Sequence, residues 1–330
     1  MKTTTVGLDL AKNGFQVHAI DAAGEVVVRR ALRRRQVIPF FERLEPCLIG
    51  MEACGTSHYW ARELSALGHR VKLMPPAYVT PYVKRGKTDA GDAEAICEAI
   101  CEAVTRPTMR FVAVKSPEQQ AVLALHRLRD LLIRQRTQLV NMIRGQLAEF
   151  GIVLAKGIQH ALRLVERLLD GEALELPELA AKIMITLAAQ VRNLQGRLRD
   201  LDKELMAWFR GSEVARRLET IPGIGVITAS ALAATVTDPH QFTSGRQFAA
   251  WLRLTPRANS SGGKERQGRI SKMGDRYLRR LLVSGLTSQL QSVRRHPDRH
   301  PWTTGLLHRK PAKLVAVAMA NKAARTAWAS

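Results

Sequence analysis

Four carboxylates stand where they could do chemistry together. Asp9 closes the apolar run 3–9 and Glu52 closes the run 47–52. Asp89 and Asp92 lie three residues apart in Lys-Thr-Asp-Ala-Gly-Asp-Ala. The two runs read as β-strands, and strand ends on one sheet edge can bring together acids that are distant in sequence. The i,i+3 spacing of Asp89 and Asp92 sets both on one face of a helix that starts there. Carboxylates converging on one point repel one another unless a hard cation sits between them. Mg²⁺ suits oxygen ligands of this kind. Two such ions about 3.5–4 Å apart can activate and stabilise the oxygens of an in-line displacement at a phosphodiester. A plainer reading stands beside this one, with Asp89 as a helix N-cap and Asp92 as a favourable first-turn charge.

A second group lies near the other end of the chain. Asn259-Ser260-Ser261-Gly262-Gly263-Lys264-Glu265-Arg266 is a polar loop, followed by a basic stretch through Arg269, Lys272 and Arg276. A serine here could act as a nucleophile if neighbouring cations lower its pKa or stabilise phosphoryl oxygens. Arg257, Lys264, Arg266 and Arg269 could supply that charge. No base is evident beside it, so a glycine-rich loop that only binds phosphate fits equally. A third feature is Ile221-Pro222-Gly223-Ile224-Gly225, between an apolar helix end and a small-residue helix. Gly223 and Gly225 would let backbone approach a phosphate, and the helix start would offer free N–H groups. A plain tight turn between packed helices is the alternative.

These groups need elements to hold them. Segments 3–9, 15–20, 25–32, 47–52 and 70–74 read as strands, with helices over 36–44 and 57–67, the second stopped by Gly68. Strands followed by alternating helix and strand indicate a mixed α/β domain over 1–114. Ser116-Pro117-Glu118-Gln119 is a helix start with a capping box, and that helix could run to about Phe150. A further helix covers 177–209. Its Leu187, Val191, Leu194, Leu198, Leu201 and Leu205 form a heptad seam for a parallel or antiparallel partner. Residues 115–210 therefore read as a helical coiled-coil spacer or dimerisation arm. Residues 211–330 form a second, mostly α unit with loops at 222–225, 237–245 and 253–268. Cys47, Cys54, Cys97 and Cys101 read as small buried residues rather than metal ligands. Trp251, Trp302 and Trp328 read as core or interface anchors, with base stacking as an alternative that no sequence feature supports.

Composition narrows the partners. The chain of 330 residues holds 51 Lys+Arg against 29 Asp+Glu, a formal net charge of +22. That balance points to a polyanion, most simply nucleic acid. From Lys264 onward there are 15 basic and 3 acidic residues, so a basic grip lies at one end and the acid-dependent chemistry at the other. Hydrophobic residues at 46% suffice for real cores. There is no apolar run of transmembrane length, and no apolar signal core near the start, so a cytoplasmic protein working at the nucleoid is expected, with no membrane partner. Four cysteines in this length are no disulfide scaffold.

The chain resembles the DEDD-type insertion-sequence transposases, which include the pilin-gene invertase relatives and RNA-guided recombinases. The resemblance runs through Gly7–Lys12, Met51–Gly55, Lys87–Ala93, Ile221–Gly225, Phe248–Arg257 and Ser261–Tyr277. It covers essentially the whole chain. Ala53-Cys54-Gly55 stands where the family's usual motif has Ala-Thr-Gly. The resemblance implies a ribonuclease H-like, Holliday-junction-resolvase-like first domain, with Asp9, Glu52, Asp89 and Asp92 holding Mg²⁺. It implies a C-terminal transposase domain in which Ser261 attacks a DNA phosphate to form a covalent phosphoserine link, with Ser260 one position away. It further implies a structured guide RNA that pairs with target and donor double-stranded DNA. Dimers that pair into a tetramer, with active sites completed between protomers, belong to the same expectation. Two rivals share some of these residues. A junction nuclease would need the acids but not the serine, and a non-catalytic nucleic-acid-binding protein would need neither.

Overall fold

The computed structural model describes residues 3–83, 89–106, 109–260, 263–264, 266–271 and 274–330. It divides into two compact units, Met1–Ser116 and Pro117–Ser330.

The first unit contains β1 (Thr5–Leu10), β2 (Gly14–Ile20), β3 (Val26–Arg33), α1 (Val37–Phe41), β4 (Leu48–Glu52), α2 (Ser57–Ala66), β5 (Arg70–Met74), α3 (Pro76–Val79) and α4 (Asp89–Thr105). The strands form one sheet in the order β3-β2-β1-β4-β5. β1 is antiparallel to β2 and parallel to β4, and β4 is parallel to β5. Side chains alternate between the faces of a strand, and the two faces are covered differently. Val6, Leu8, Ile49 and Met51 share one buried cluster with Trp60, Ala61 and Leu64 of α2. Leu48 and Met74 share another with Ala95, Ile96, Ala99 and Ile100 of α4. The sheet therefore lies between α2 and α4, as the mixed α/β reading expects.

Two glycines set the spacing on the α4 face. Gly7 and Gly50 are register partners on β1 and β4. A Cβ on Gly7 would collide with the Ala93 carbonyl oxygen and the Cys97 amide nitrogen, and would stand 2.7 Å from Cys97 Cβ. A Cβ on Gly50 would stand 2.6 Å from Ile100 Cβ. The helix can seat this closely only because both strands lack a side chain there.

The second unit contains α5 (Pro117–Glu149), α6 (Ile158–Leu169), α7 (Glu178–Gly211), α8 (Glu213–Glu219), α9 (Val226–Thr235), α10 (Gly245–Trp251), β6 (Pro256–Ala258), β7 (Gln267–Ile270), α11 (Arg276–Arg295), α12 (Pro301–Leu307) and α13 (Ala312–Ala329). α5 and α7 are antiparallel neighbours. Arg129 pairs with Asp202 at 2.6 Å, and Arg136 donates to Gln195 at 2.6 Å, so numbers rise on one helix as they fall on the other. The heptad seam thus has a partner within its own chain. Its Val191, Leu198 and Leu205, spaced by seven, are buried, while Leu187, Leu194 and Leu201 are half-buried. α6 was not expected from the sequence. It adds Ala161, Leu164, Val165 and Leu168 to the cluster around Val140, Ile143 and Leu147. The remaining helices close a separate core around Phe248, Leu282, Leu286, Met319 and Ala320.

Three smaller expectations are corrected. Residues 253–268 are not a plain loop, because β6 and β7 pair antiparallel across them. Cys54 is exposed rather than buried. Trp302 and Trp251 are 46% and 40% exposed, which removes the core reading for them and leaves the interface one. Among the described residues no helix is long and apolar enough to cross a membrane.

Candidate active site

The carboxylates of the first unit are arranged by the α4 contacts. Thr5, Gly7 and Asp9 lie on one face of β1 by alternation, and Gly50 and Glu52 lie on one face of β4. Gly7 and Gly50 face α4, so Asp9 and Glu52 belong to the α4 side as well. They sit one residue beyond the Leu8–Met51 pair of two parallel strands, which makes them neighbours at one sheet edge. α4 runs against β1, since Ala93 and Cys97 meet Gly7 while Cys101 lies close to Thr5 further back. From Cys101 back to Asp92 the helix travels about 13 Å, and from Thr5 to Asp9 the strand travels about the same. Asp92 therefore stands level with Asp9 and Glu52. All three are half-buried. Asp89 is the first residue of α4, and its side chain lies outside the described residues.

This donor set consists of carboxylate oxygens, the chemistry that fits a hard divalent cation. Among the described residues, no group of three or more His, Cys, Asp or Glu side chains is gathered tightly enough to hold a metal ion. The fold brings Asp9, Glu52 and Asp92 to one end of one face without closing them into a cage.

In the second unit the β6–β7 hairpin carries the serine loop. Asn259 N–H donates to the Arg266 carbonyl at 2.8 Å, and Arg266 N–H donates to Ser260 Oγ at 3.2 Å. The Ser260 hydroxyl therefore holds the neck of the loop. Ser261 and Lys272 lie outside the described residues. Arg257, Lys264, Arg266, Arg269 and Arg276 are all exposed. Asp275 caps α11 directly after the basic stretch, accepting from Leu278 N–H at 2.9 Å.

The Pro222–Gly225 turn is shaped by packing at one glycine and open at the other. Gly223 has φ +87°, and a Cβ there would stand 2.6 Å from Leu286 Cδ1. A Cβ on Gly285 of α11 would collide with the Gly223 carbonyl oxygen. Close approach to α11 thus accounts for Gly223, as the tight-turn alternative proposes. Gly225 is exposed and N-caps α9 without a side-chain cap, which leaves the amides of that helix start for an outside acceptor.

One buried cluster had no sequence signal at all. His126 on α5 is 1% exposed. Its Nδ1 lies 3.0 Å from the Tyr277 hydroxyl and its Nε2 lies 3.2 Å from Ser230 Oγ. Ser230 donates to the Val226 carbonyl at 2.7 Å. The hydroxyl is then left to accept from Nε2–H, and Nδ1 accepts from Tyr277 O–H. Burial, helped by the Arg129 charge, pushes the imidazole down to about 4, so it is neutral near pH 7. Burial also raises the Tyr277 hydroxyl. This chain ties α5 and α9 to the first turn of α11. Single polar residues on three separate helices have no spacing pattern by which they could be paired in advance.

A sheet edge carrying carboxylates and an arginine-rich unit with an exposed helix start describe an enzyme that acts on nucleic acid. The comparisons agree. A profile described as Transposase, of the DEDD type found in IS110, matches residues 6–152, and a profile described as Transposase IS116/IS110/IS902 family matches residues 215–300. The chain is 49% identical to a probable family 20 transposase of Pseudomonas aeruginosa, over 100% of this chain and 97% of that one. It is 41% identical to the transposase of insertion sequence element IS1328 of Yersinia enterocolitica, over 98% and 96%. It is 38% identical to the transposase of IS1111A of Coxiella burnetii, over 98% and 88%. The chain belongs to the IS110/IS116/IS902 family of insertion-sequence transposases, enzymes that cleave DNA and transfer its strands. Its DEDD-type domain implies a divalent metal ion.

Proposed function

We propose that this transposase is a site-specific recombinase that cuts, exchanges and rejoins DNA strands through a covalent phosphoserine link. The observation that supports the metal part of the reading is the level set by α4, where Asp92 stands with Asp9 and Glu52 at one sheet edge, and the serine part rests on the family resemblance. With Asp89 these would hold Mg²⁺ in a ribonuclease H-like domain, a reading that the strand order β3-β2-β1-β4-β5 supports. The functional division follows the chain as a catalytic domain over 1–114, a helical spacer over 115–210 and a transposase domain over 211–330.

When bound, Mg²⁺ supplies Lewis-acid polarisation of the scissile phosphate. Ser261 Oγ loses its proton and bonds to phosphorus, while the bond from phosphorus to the departing DNA oxygen breaks and that oxygen takes up a proton. A DNA hydroxyl from the partner duplex then displaces Ser261 and restores the backbone. Ser260 Oγ accepts from Arg266 N–H at the loop neck, and the family resemblance assigns the attack to Ser261. Arg257, Lys264, Arg266, Arg269, Lys272 and Arg276 neutralise phosphates around the loop. Gly225 and the start of α9 offer a further backbone contact. A structured guide RNA and a tetramer built from two dimers complete the proposal, and the +22 charge suits a protein that holds several polyanions at once.

The test is Ser261→Ala. It abolishes recombination and the adduct trapped on denaturing gels, while binding to the element's DNA ends persists. An adduct that survives in the variant overturns the serine assignment. Free DNA ends with no adduct in the unaltered protein point to hydrolysis by water instead.

A further inference from the structure

We infer that a groove in the second unit, formed by α10, β7, α12 and α13, binds an unpaired stretch of nucleic acid with Trp302 as its base-stacking platform. The inference rests on the reading of this unit as the nucleic-acid face, and apart from Arg269 concerns residues outside the serine loop and the Pro222–Gly225 turn. The groove has a volume of about 1140 Å³.

Its chemistry comes from the two faces of α13. One face buries Val315, Ala316, Met319, Ala320, Ala323 and Ala324 in the core. The other turns Leu314, Val317, Ala318, Lys322 and Arg325 to the groove. An apolar floor thus passes into a cationic end along a single helix. Arg246 and Arg269 add charge from α10 and β7, and no carboxylate is among the described lining residues. Trp302 stands 46% exposed at the wall, with the Lys322 ammonium 4.7 Å from its ring centroid. That cation–π contact holds the indole from one side. Leu314, also lining, is 52% exposed.

Charge alone would serve a duplex, whose bases are already stacked on one another. An exposed indole and an apolar floor beside phosphate-binding cations match a strand whose base faces are free. Four cations without a carboxylate favour a polyanionic strand over a folded protein surface of mixed charge.

The test uses the full chain and three fluorescent probes: a short single strand as DNA, the same strand as RNA, and a duplex. Trp302→Ala weakens single-strand binding about ten-fold and leaves duplex binding within about two-fold. Trp302→Phe recovers most of the loss. Arg325→Ala shallows the salt dependence of single-strand binding by about 0.7 in the log–log slope. The more affected of the two single strands identifies the source as DNA or RNA. Thermal melts confirm that these exposed substitutions leave the fold intact. Unchanged single-strand binding in Trp302→Ala overturns the inference, and so does equal loss on strand and duplex. Loss of binding to an acidic peptide with single-strand binding unchanged overturns it in favour of a protein partner. An unaltered protein that grips the duplex but no single strand removes this inference alone, whereas one that grips neither removes the underlying reading with it.

Discussion

Single residues set the geometry of both candidate centres, and two of them are glycines with no functional group. Gly7 and Gly50 matter because α4 occupies the space their side chains would need. Gly7→Ala forces a methyl against helix backbone, which cannot rotate away, so the helix must lift from the sheet. Overpacking of this kind costs about 1–3 kcal/mol, measurable as a lower urea midpoint. Metal-dependent DNA cleavage falls further than stability does, because Asp92 moves with the helix. His126 makes a different prediction. Its proton affinity is depressed from 6.5 to about 4 by burial, so between these pH values the unfolded chain binds a proton that the folded chain refuses. The stability it contributes is complete above about pH 6.5 and is lost as the pH falls to about 4, roughly 3 kcal/mol in all. Denaturant titrations at pH 7, 5 and 4 should show this loss, and His126→Gln should flatten it. An equally steep fall in that variant would assign the effect to other groups.

At the level of elements, the antiparallel α5–α7 pair gives the heptad seam unequal halves. Leu198 is 4% exposed, whereas Leu201 is half-buried. Leu198→Ala should cost about 2–5 kcal/mol by opening a cavity in the pair, and Leu201→Ala about 1 kcal/mol, as read from chemical unfolding. Equal costs would mean that both lines of the seam are covered, as in a second helix pairing between copies. The same elements show what a sequence can and cannot reveal. The five strands were legible because β-branched runs ended on turn residues, and Asp9 and Glu52 were legible because they sat at those ends. The long helices were legible from capping residues and a seven-residue period. α6 offers no capping residue to mark its start, since Gly157 stands at its N-cap, although Ile158, Ala161, Leu162, Val165, Leu168 and Leu169 recur there at helical spacing. The β6–β7 hairpin was hidden because its strands are three and four residues long and polar. The level of Asp92 against Asp9 depends on helix direction and on close approach at two glycines, and neither has a local signature.

For the whole molecule, charge is the property that acts at longest range. The net +22 is unevenly placed, with 15 basic and 3 acidic residues from Lys264 onward. Each phosphate neutralised by a Lys or Arg releases condensed counterion, which makes binding fall with salt by about 0.9 in log–log slope per contact. Six to ten such contacts would lower affinity about 10³–10⁵-fold between about 50 and 200 mM salt. The exposed arginines flanking the serine loop should each account for about one contact. Arg257→Ala and Arg266→Ala are therefore expected to reduce the slope by about 1 each, while weakening all DNA sequences alike. Uniform weakening is the signature of backbone positioning, so sequence choice would have to come from elsewhere, as pairing by a guide RNA would provide. Binding of element ends that is indifferent to salt would contradict the charge argument. A sequence-selective loss in either arginine variant would move target recognition onto the protein surface itself.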